Sequence, residues 1–174
     1  VGYSPSGRYR VSGVNNDAST DVSLIDLQTG DAVVLNNVPA GDLAQVRFNR
    51  DETAIAFGLN RDTAPYDLYY MPLGREATRL TAALNPAINS EFMVEGEVVR
   101  FASYDGLNVP GILYQPREAS SENPVPALVW VHGGPGGQSR KGYSAAIQHL
   151  VNHGYAVYQI NNRGSSGYGK TFYP

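Results

Sequence analysis

The chain has 174 residues, with 13 Lys and Arg against 16 Asp and Glu for a formal net charge of −3; at that length roughly 70% of the unfolded surface can be buried in a core. No basic run supplies a stripe that tracks phosphates, which argues against a nucleic-acid partner, and apolar runs such as Ala127–Val131 are too short to span a bilayer, which argues against a membrane partner. The absence of cysteine excludes a disulfide framework, Cys-ligated zinc and a thiol nucleophile, and leaves the expectation of a soluble globular protein, cytoplasmic or periplasmic.

The first ninety residues repeat with a spacing of 45: Tyr3-Ser4-Pro5-Ser6-Gly7 aligns with Phe48-Asn49-Arg50-Asp51-Glu52, and Val22–Asp26 with Asp67–Met71. Each unit reads as short strands parted by turns. The first predicts strands at Arg8–Val14, Asp21–Leu27 and Ala32–Asn36, the second at Thr53–Leu59, Asp67–Pro72 and Ala77–Thr81. Their length and period are those of a β-propeller, with a meandering sandwich as the alternative.

Leu84–Asn89 has the composition of a connector and predicts a domain boundary, with residues 1–88 before it and 89–174 after it. Glu97–Tyr104 alternates as a strand, Asp105-Gly106 signals a hairpin, and Val109–Gln115 returns as the second strand. A polar loop covers Glu118–Pro126. Ala127–Val131 is a continuous apolar run, predicted to be a strand buried on both faces of a mainly parallel sheet. Tyr143, Ala146, Ile147, Leu150 and Val151 follow at helical spacing, Gly154 stands where a left-handed cap belongs, and Tyr155–Ile160 reads as the next buried strand. This half is therefore α/β, with a right-handed βαβ unit, whereas the first half is all-β.

The loop His132-Gly133-Gly134-Pro135-Gly136-Gly137-Gln138 leaves a buried strand and enters a helix, where α/β sheets collect their active sites. Consecutive glycines let backbone N–H groups turn inward with no Cβ in the way, which suits a pocket that stabilises a developing oxyanion; a tight turn needing glycine only for its dihedrals is the plainer alternative. Two rival signals are weaker. Gly164–Thr171 satisfies the phosphate-loop pattern G-x-x-x-x-G-K-[ST], but that loop must open a long helix, and Pro174 follows three residues after Thr171. His149 and His153 are four apart on a helix, yet no acidic third ligand is near them in sequence.

His132-Gly133-Gly134-Pro135 with Gln138, followed by Asn161-Asn162-Arg163-Gly164-Ser165-Ser166-Gly167-Tyr168-Gly169, resembles the prolyl oligopeptidase family of serine peptidases, nearest to its acylaminoacyl-peptidase and dipeptidyl-peptidase-like members. Ser103-Tyr104-Asp105-Gly106 through Val109–Leu113 to Pro116 is similar to the opening of that family's catalytic domain. The resemblance covers the whole chain. It implies a mixed fold: the last two blades of an all-β propeller, then the first four strands of an α/β-hydrolase sheet. It further implies a peptide substrate, no cofactor and no metal, with the rest of the parent's catalytic domain as partner.

Carried onto this sequence, the resemblance makes Gly134 the backbone oxyanion donor, with Gly133 shaping the loop. His132 stands where some relatives use a tyrosine hydroxyl and either polarises the substrate carbonyl or walls the pocket, the wall being favoured. Arg163 either contacts substrate or pins its loop by hydrogen-bonding carbonyls, the pinning being favoured. The family's Ser, Asp and His are absent; Ser144 is read as an ordinary helix-start residue, and the chain, lacking an initial Met, as an excised piece that is inactive alone. The alternatives are a non-catalytic peptide-binding protein, or another α/β-hydrolase such as an esterase or a proline iminopeptidase. The last departs at the loop after the fourth strand and has no propeller.

Overall fold

In the computed structural model, which describes residues 1–134 and 136–173, the 45-residue period returns as a repeated set of hydrogen bonds. Strands β1 (Gly2–Tyr3), β2 (Tyr9–Asn16) and β3 (Ser19–Asp26) make one antiparallel sheet in chain order. Strands β4 (Asp42–Phe48), β5 (Ala54–Arg61), β6 (Ala64–Pro72) and β7 (Thr78–Arg79) make another. The β1–β2 turn is closed by Ser4 N–H to Tyr9 O and Gly7 N–H to Ser4 O, both 2.9 Å. The β4–β5 turn repeats them as Asn49 N–H to Ala54 O at 3.0 Å and Glu52 N–H to Asn49 O at 3.1 Å. Side chains obey the same period, since Ser4 Oγ accepts from Tyr9 N–H and Asn49 Oδ1 from Ala54 N–H, each at 3.0 Å.

Three features of this half differ from the sequence reading. Strand β4 was not expected, because Gln45 takes φ 56° and a bulge between Ala44 and Arg47 breaks its apolar alternation. Ala32–Asn36 forms no strand; it makes only single bridges, Ile25 to Ala32 and Asn36 to Glu76. The strand expected at Ala77–Thr81 shrinks to Thr78–Arg79 because the Asp67 carboxylate takes the Thr81 hydroxyl and the Ala83 N–H. The first two sheets share a core in which Leu24, Ile55, Phe57, Leu59 and Met71 are almost fully enclosed, each side chain contributing about 1.5–3 kcal/mol.

A short 3-10 turn at Ser90–Phe92 leads to β8 (Glu97–Ala102) and β9 (Asn108–Tyr114), an antiparallel hairpin whose turn closes through Ser103 N–H to Leu107 O at 2.8 Å. Then come β10 (Ala127–Val131), helix α1 (Ala145–Asn152) and β11 (Ala156–Ile160). The spatial order is β10-β11-β9-β8, with β10 and β11 parallel and β11 antiparallel to β9. Ser144 caps the helix, accepting from Ile147 N–H at 3.4 Å, and so lies before its first turn rather than within it. Tyr143 also stays outside the helix. Ala146 is exposed and Gln148 is buried in its place, because the Gln148 amide serves the Val94 backbone and Asp62 O. The expected burial of β10 on both faces is not met among the described residues: there β10 pairs only with β11, and Val129 and Val131 are 66% and 61% exposed.

The β5–β6 turn connects the second sheet to this third one. Asp62, with its side chain 2% exposed, accepts from Tyr114 O–H at 2.9 Å, Gly96 N–H at 2.9 Å and Gly142 N–H at 2.7 Å, and pairs with Lys141 Nζ at 3.3 Å. Burial, and then the Asp62 charge, push the Tyr114 hydroxyl far above its ordinary pKa, so it remains a donor throughout the accessible pH range. Ala18 of the β2–β3 turn is 2% exposed within the core formed by Ile112, Tyr114, Ile147, Val151 and Val157. Replacing Asp62 with Ala strands three buried donors and a cation; urea unfolding followed by circular dichroism should show a loss of about 3–5 kcal/mol. A loss under about 1 kcal/mol would mean that water replaces the carboxylate and that Asp62 is no anchor.

Candidate functional site

Strands β10 and β11 are parallel and end side by side, Val131 opposite Ile160, so the loop after each leaves from one end of the sheet. The first loop runs over 132–144 and the second over 161–173. Pro135, within the first, and Pro174 lie outside the described residues.

The downstream part of the first loop is tethered at each residue. Gly137 O accepts from Ser166 N–H at 2.9 Å. Gln138 Nε2 donates to Asp17 O at 2.6 Å, and its Oε1 accepts from Asn15 at 2.8 Å. Ser139 N–H donates to Asn161 Oδ1 at 2.6 Å, and Ser139 O accepts from Asn161 Nδ2 at 3.0 Å. Arg140 reaches Asn15 Oδ1 at 2.8 Å, the Thr20 hydroxyl at 2.6 Å and the Asp42 carboxylate at 3.1 Å. Lys141 N–H donates to Ala18 O at 2.8 Å, and Gly142 N–H ends at Asp62. The β2–β3 turn and the β5–β6 turn are thus built into the loop's support.

The upstream part is different. Gly133 and Gly134 are exposed, and among the described residues no acceptor takes either N–H. Gly134 has φ 133°, and a Cβ added there would lie 2.9 Å from Gly137 N and 3.2 Å from Gly136 N. A side chain is therefore excluded both by the dihedral and by the fold-back of the loop. Gly167, at φ 89°, lets the second loop approach the first: a Cβ there would be 2.6 Å from Asn15 Nδ2 and 2.8 Å from the Gln138 amide.

His132 is engaged inside the protein through its Nε2. The Ser165 hydroxyl, on a fully buried residue, donates to Asn162 O at 2.6 Å, so it accepts from His132 Nε2–H at 2.7 Å; Nδ1 lies 3.0 Å from Gly133 O. Arg163 pairs with the Asp105 carboxylate in the β8–β9 turn and lies over the Tyr104 ring, 5.1 Å from its centroid, so its partner is a carboxylate rather than a carbonyl. The Arg163 guanidinium, and then the Leu107 N–H, hold the Asp105 carboxyl below the usual carboxylate range. Burial raises the Tyr168 hydroxyl, which accepts from Asn161 Nδ2 at 2.8 Å.

The rival motifs gather no site. Among the described residues Gly164–Thr171 forms turns, closed by Gly164 N–H to Phe172 O at 3.0 Å, and no helix starts at Lys170. The His149 and His153 rings lie 4.0 Å apart, but no group of three metal-binding side chains occurs among the described residues. No helix there is long and apolar enough to cross a membrane. Sequence reasoning missed Asp62, Arg140 and the part played by Asn161. A lone Asp in a β-turn and an Arg after a glycine loop carry no local signal; only Asn161, in the segment that carries the resemblance, had one.

No family model matches the chain. It is 34% identical over 122 residues to the uncharacterized peptidase YuxL of Bacillus subtilis, covering 70% of this chain and 19% of that protein. It is 33% identical over 146 residues to dipeptidyl aminopeptidase BIII of Pseudoxanthomonas mexicana, covering 79% and 21%. A puromycin-hydrolyzing peptidase of Mycobacterium tuberculosis superposes on 98% of the chain with a TM-score of 0.79 at 21% identity, over 26% of that structure. The chain spans about a fifth of the length of the curated relatives it matches.

Because its folded pKa is depressed, Asp105 contributes to loop docking above the ordinary carboxylate value of 3.8, and that contribution is lost as pH falls through the folded value. Carboxyl-detected NMR should place the Asp105 midpoint below 3.8, and Arg163→Ala should return it toward that value. An unchanged midpoint would remove the pair from the loop's support.

Proposed function

The chain belongs, as a segment, to the prolyl oligopeptidase family of peptidases, and from that premise we propose that the whole protein hydrolyses peptide bonds of oligopeptides through a serine acyl-enzyme. In this reading residues 1–88 are the last two blades of a β-propeller. Residues 89–174 begin an α/β-hydrolase domain, and β10 is the edge on which the rest of its sheet is built. The nucleophile, its base and the orienting acid come from the rest of the protein.

One observation carries the reading of the site. At the exit of a parallel strand, a loop whose downstream residues are all tethered presents two glycine N–H groups that have no acceptor among the described residues. A carbonyl oxygen that gains negative charge during attack needs such donors, fixed beforehand and aimed where the charge develops. Gly134 N–H is the donor in this proposal, and Gly133 provides the turn. His132 walls the pocket, since its Nε2–H is already committed to the Ser165 hydroxyl. Arg163 pins the second loop through Asp105 rather than meeting substrate.

The full-length protein should be labelled by a serine-directed fluorophosphonate and should cleave peptide anilides, whereas these 174 residues alone should give no turnover. Gly134→Ala keeps the N–H, but the loop has no room for its Cβ, so the backbone must shift and the donor loses its aim; in the full-length protein this should lower kcat by up to about 100- to 1000-fold, the range for loss of one oxyanion donor. Folded full-length protein that takes no label would make it a peptide-binding relative, and full activity in Gly134→Ala would move the donor elsewhere.

A further inference from the structure

Asn161 is the first residue after β11, and its side chain is fully enclosed. Its amide meets the N–H and the C=O of one residue, Ser139, accepting at 2.6 Å and donating at 3.0 Å, as a neighbouring strand would. The second Nδ2 hydrogen goes to Tyr168 O–H at 2.8 Å, in the loop after β11. The Asn161 backbone N–H donates to Pro110 O at 2.9 Å, which fixes the residue to β9. One residue therefore ties the two loops at this end of the sheet to each other and to β9.

From this geometry we infer that Asn161 is a positioning residue: it holds Ser139 in place and thereby sets where the Gly134 N–H points. The inference rests on the proposed oxyanion role of Gly134. Four residues separate Ser139 from Gly134, and among them Gly137 is held from the same side, by Ser166 of the β11 loop. The upstream donors are free to bind a ligand, so their aim depends on where the tethered part begins. Ser139 is itself buried, so its polar backbone groups need partners, and only a primary amide offers an acceptor and a donor on one short planar group. Aspartate would preserve size and the bond from Ser139 N–H but would set a carboxylate oxygen against Ser139 O.

A residue that only aids folding would change the melting temperature and leave turnover per folded molecule intact. A residue that aims a transition-state donor changes kcat and spares KM. The test uses the full-length protein, with peptide-anilide kinetics measured well below each variant's melting temperature. Asn161→Asp should lower kcat at least tenfold with KM within about twofold. Val157→Ala, which removes core volume from the same strand, should melt lower yet hold kcat within twofold. Tyr168→Phe removes only the hydroxyl that receives the second amide hydrogen and should lower kcat about threefold; it decides the matter if Asn161→Asp does not fold. Unchanged kcat in Asn161→Asp and Tyr168→Phe, or a loss appearing in KM, would overturn the inference and leave the proposed function standing. A wild-type protein with no fluorophosphonate label and no turnover would instead remove the proposed function and this inference with it.

Discussion

A single enclosed carboxylate organises the junction on which the candidate site stands. Asp62 enters from the turn between two strands of the second sheet and collects donors from three places in the third sheet's unit: Tyr114 on β9, Gly96 before β8, and Lys141 with Gly142 before the helix. A charge so enclosed is tolerable only with several partners, because desolvation of an unpaired carboxylate costs more than any one hydrogen bond returns. The partners converge because the carboxylate is there, and the glycine loop ends at its rim.

That arrangement divides the loop into two parts with different physics. From Gly137 onward each residue is held by a neighbouring turn or loop, so its conformational entropy is already lost in the folded state. At Gly133 and Gly134, which lack Cβ atoms, no acceptor among the described residues takes the N–H. Donors fixed in advance can stabilise charge without reorganising during reaction, which is why a stiff base beneath a bare glycine pair suits acyl transfer. The first two sheets contribute to that stiffness through Asn15, Asp17, Thr20 and Asp42, far from the loop in sequence and adjacent to it in space.

Much of the fold was legible where a residue's environment is local. The 45-residue period survives in hydrogen bonds because turn chemistry acts over five or six residues: Ser4 and Asn49 each cap their own turn with a side-chain oxygen. The β8–β9 hairpin, the helix and its Gly154 terminus followed from equally local signals. Strand β4 was hidden because the Gln45 bulge breaks alternation midway, and the third strand of the first unit was over-read because apolar Val33 and Leu35 pack against the core as irregular chain while Val34 faces outward. The helix's inward face was misassigned at Ala146 and Gln148, since a buried glutamine is intelligible only once its partners on Asp62 and Val94 are known.

The sequence by itself determined most of the strands, where the glycines free the backbone, and that a glycine-rich loop leaves the end of an apolar strand; all of these depend on neighbours within a few residues. Only the tertiary structure decided that Arg163 answers to Asp105, and that Asn161 and Asp62 hold the loop. Each of those facts is a pairing between residues dozens of positions apart. A buried polar group's role is set by the partners that replace its water, and folding alone brings those partners together.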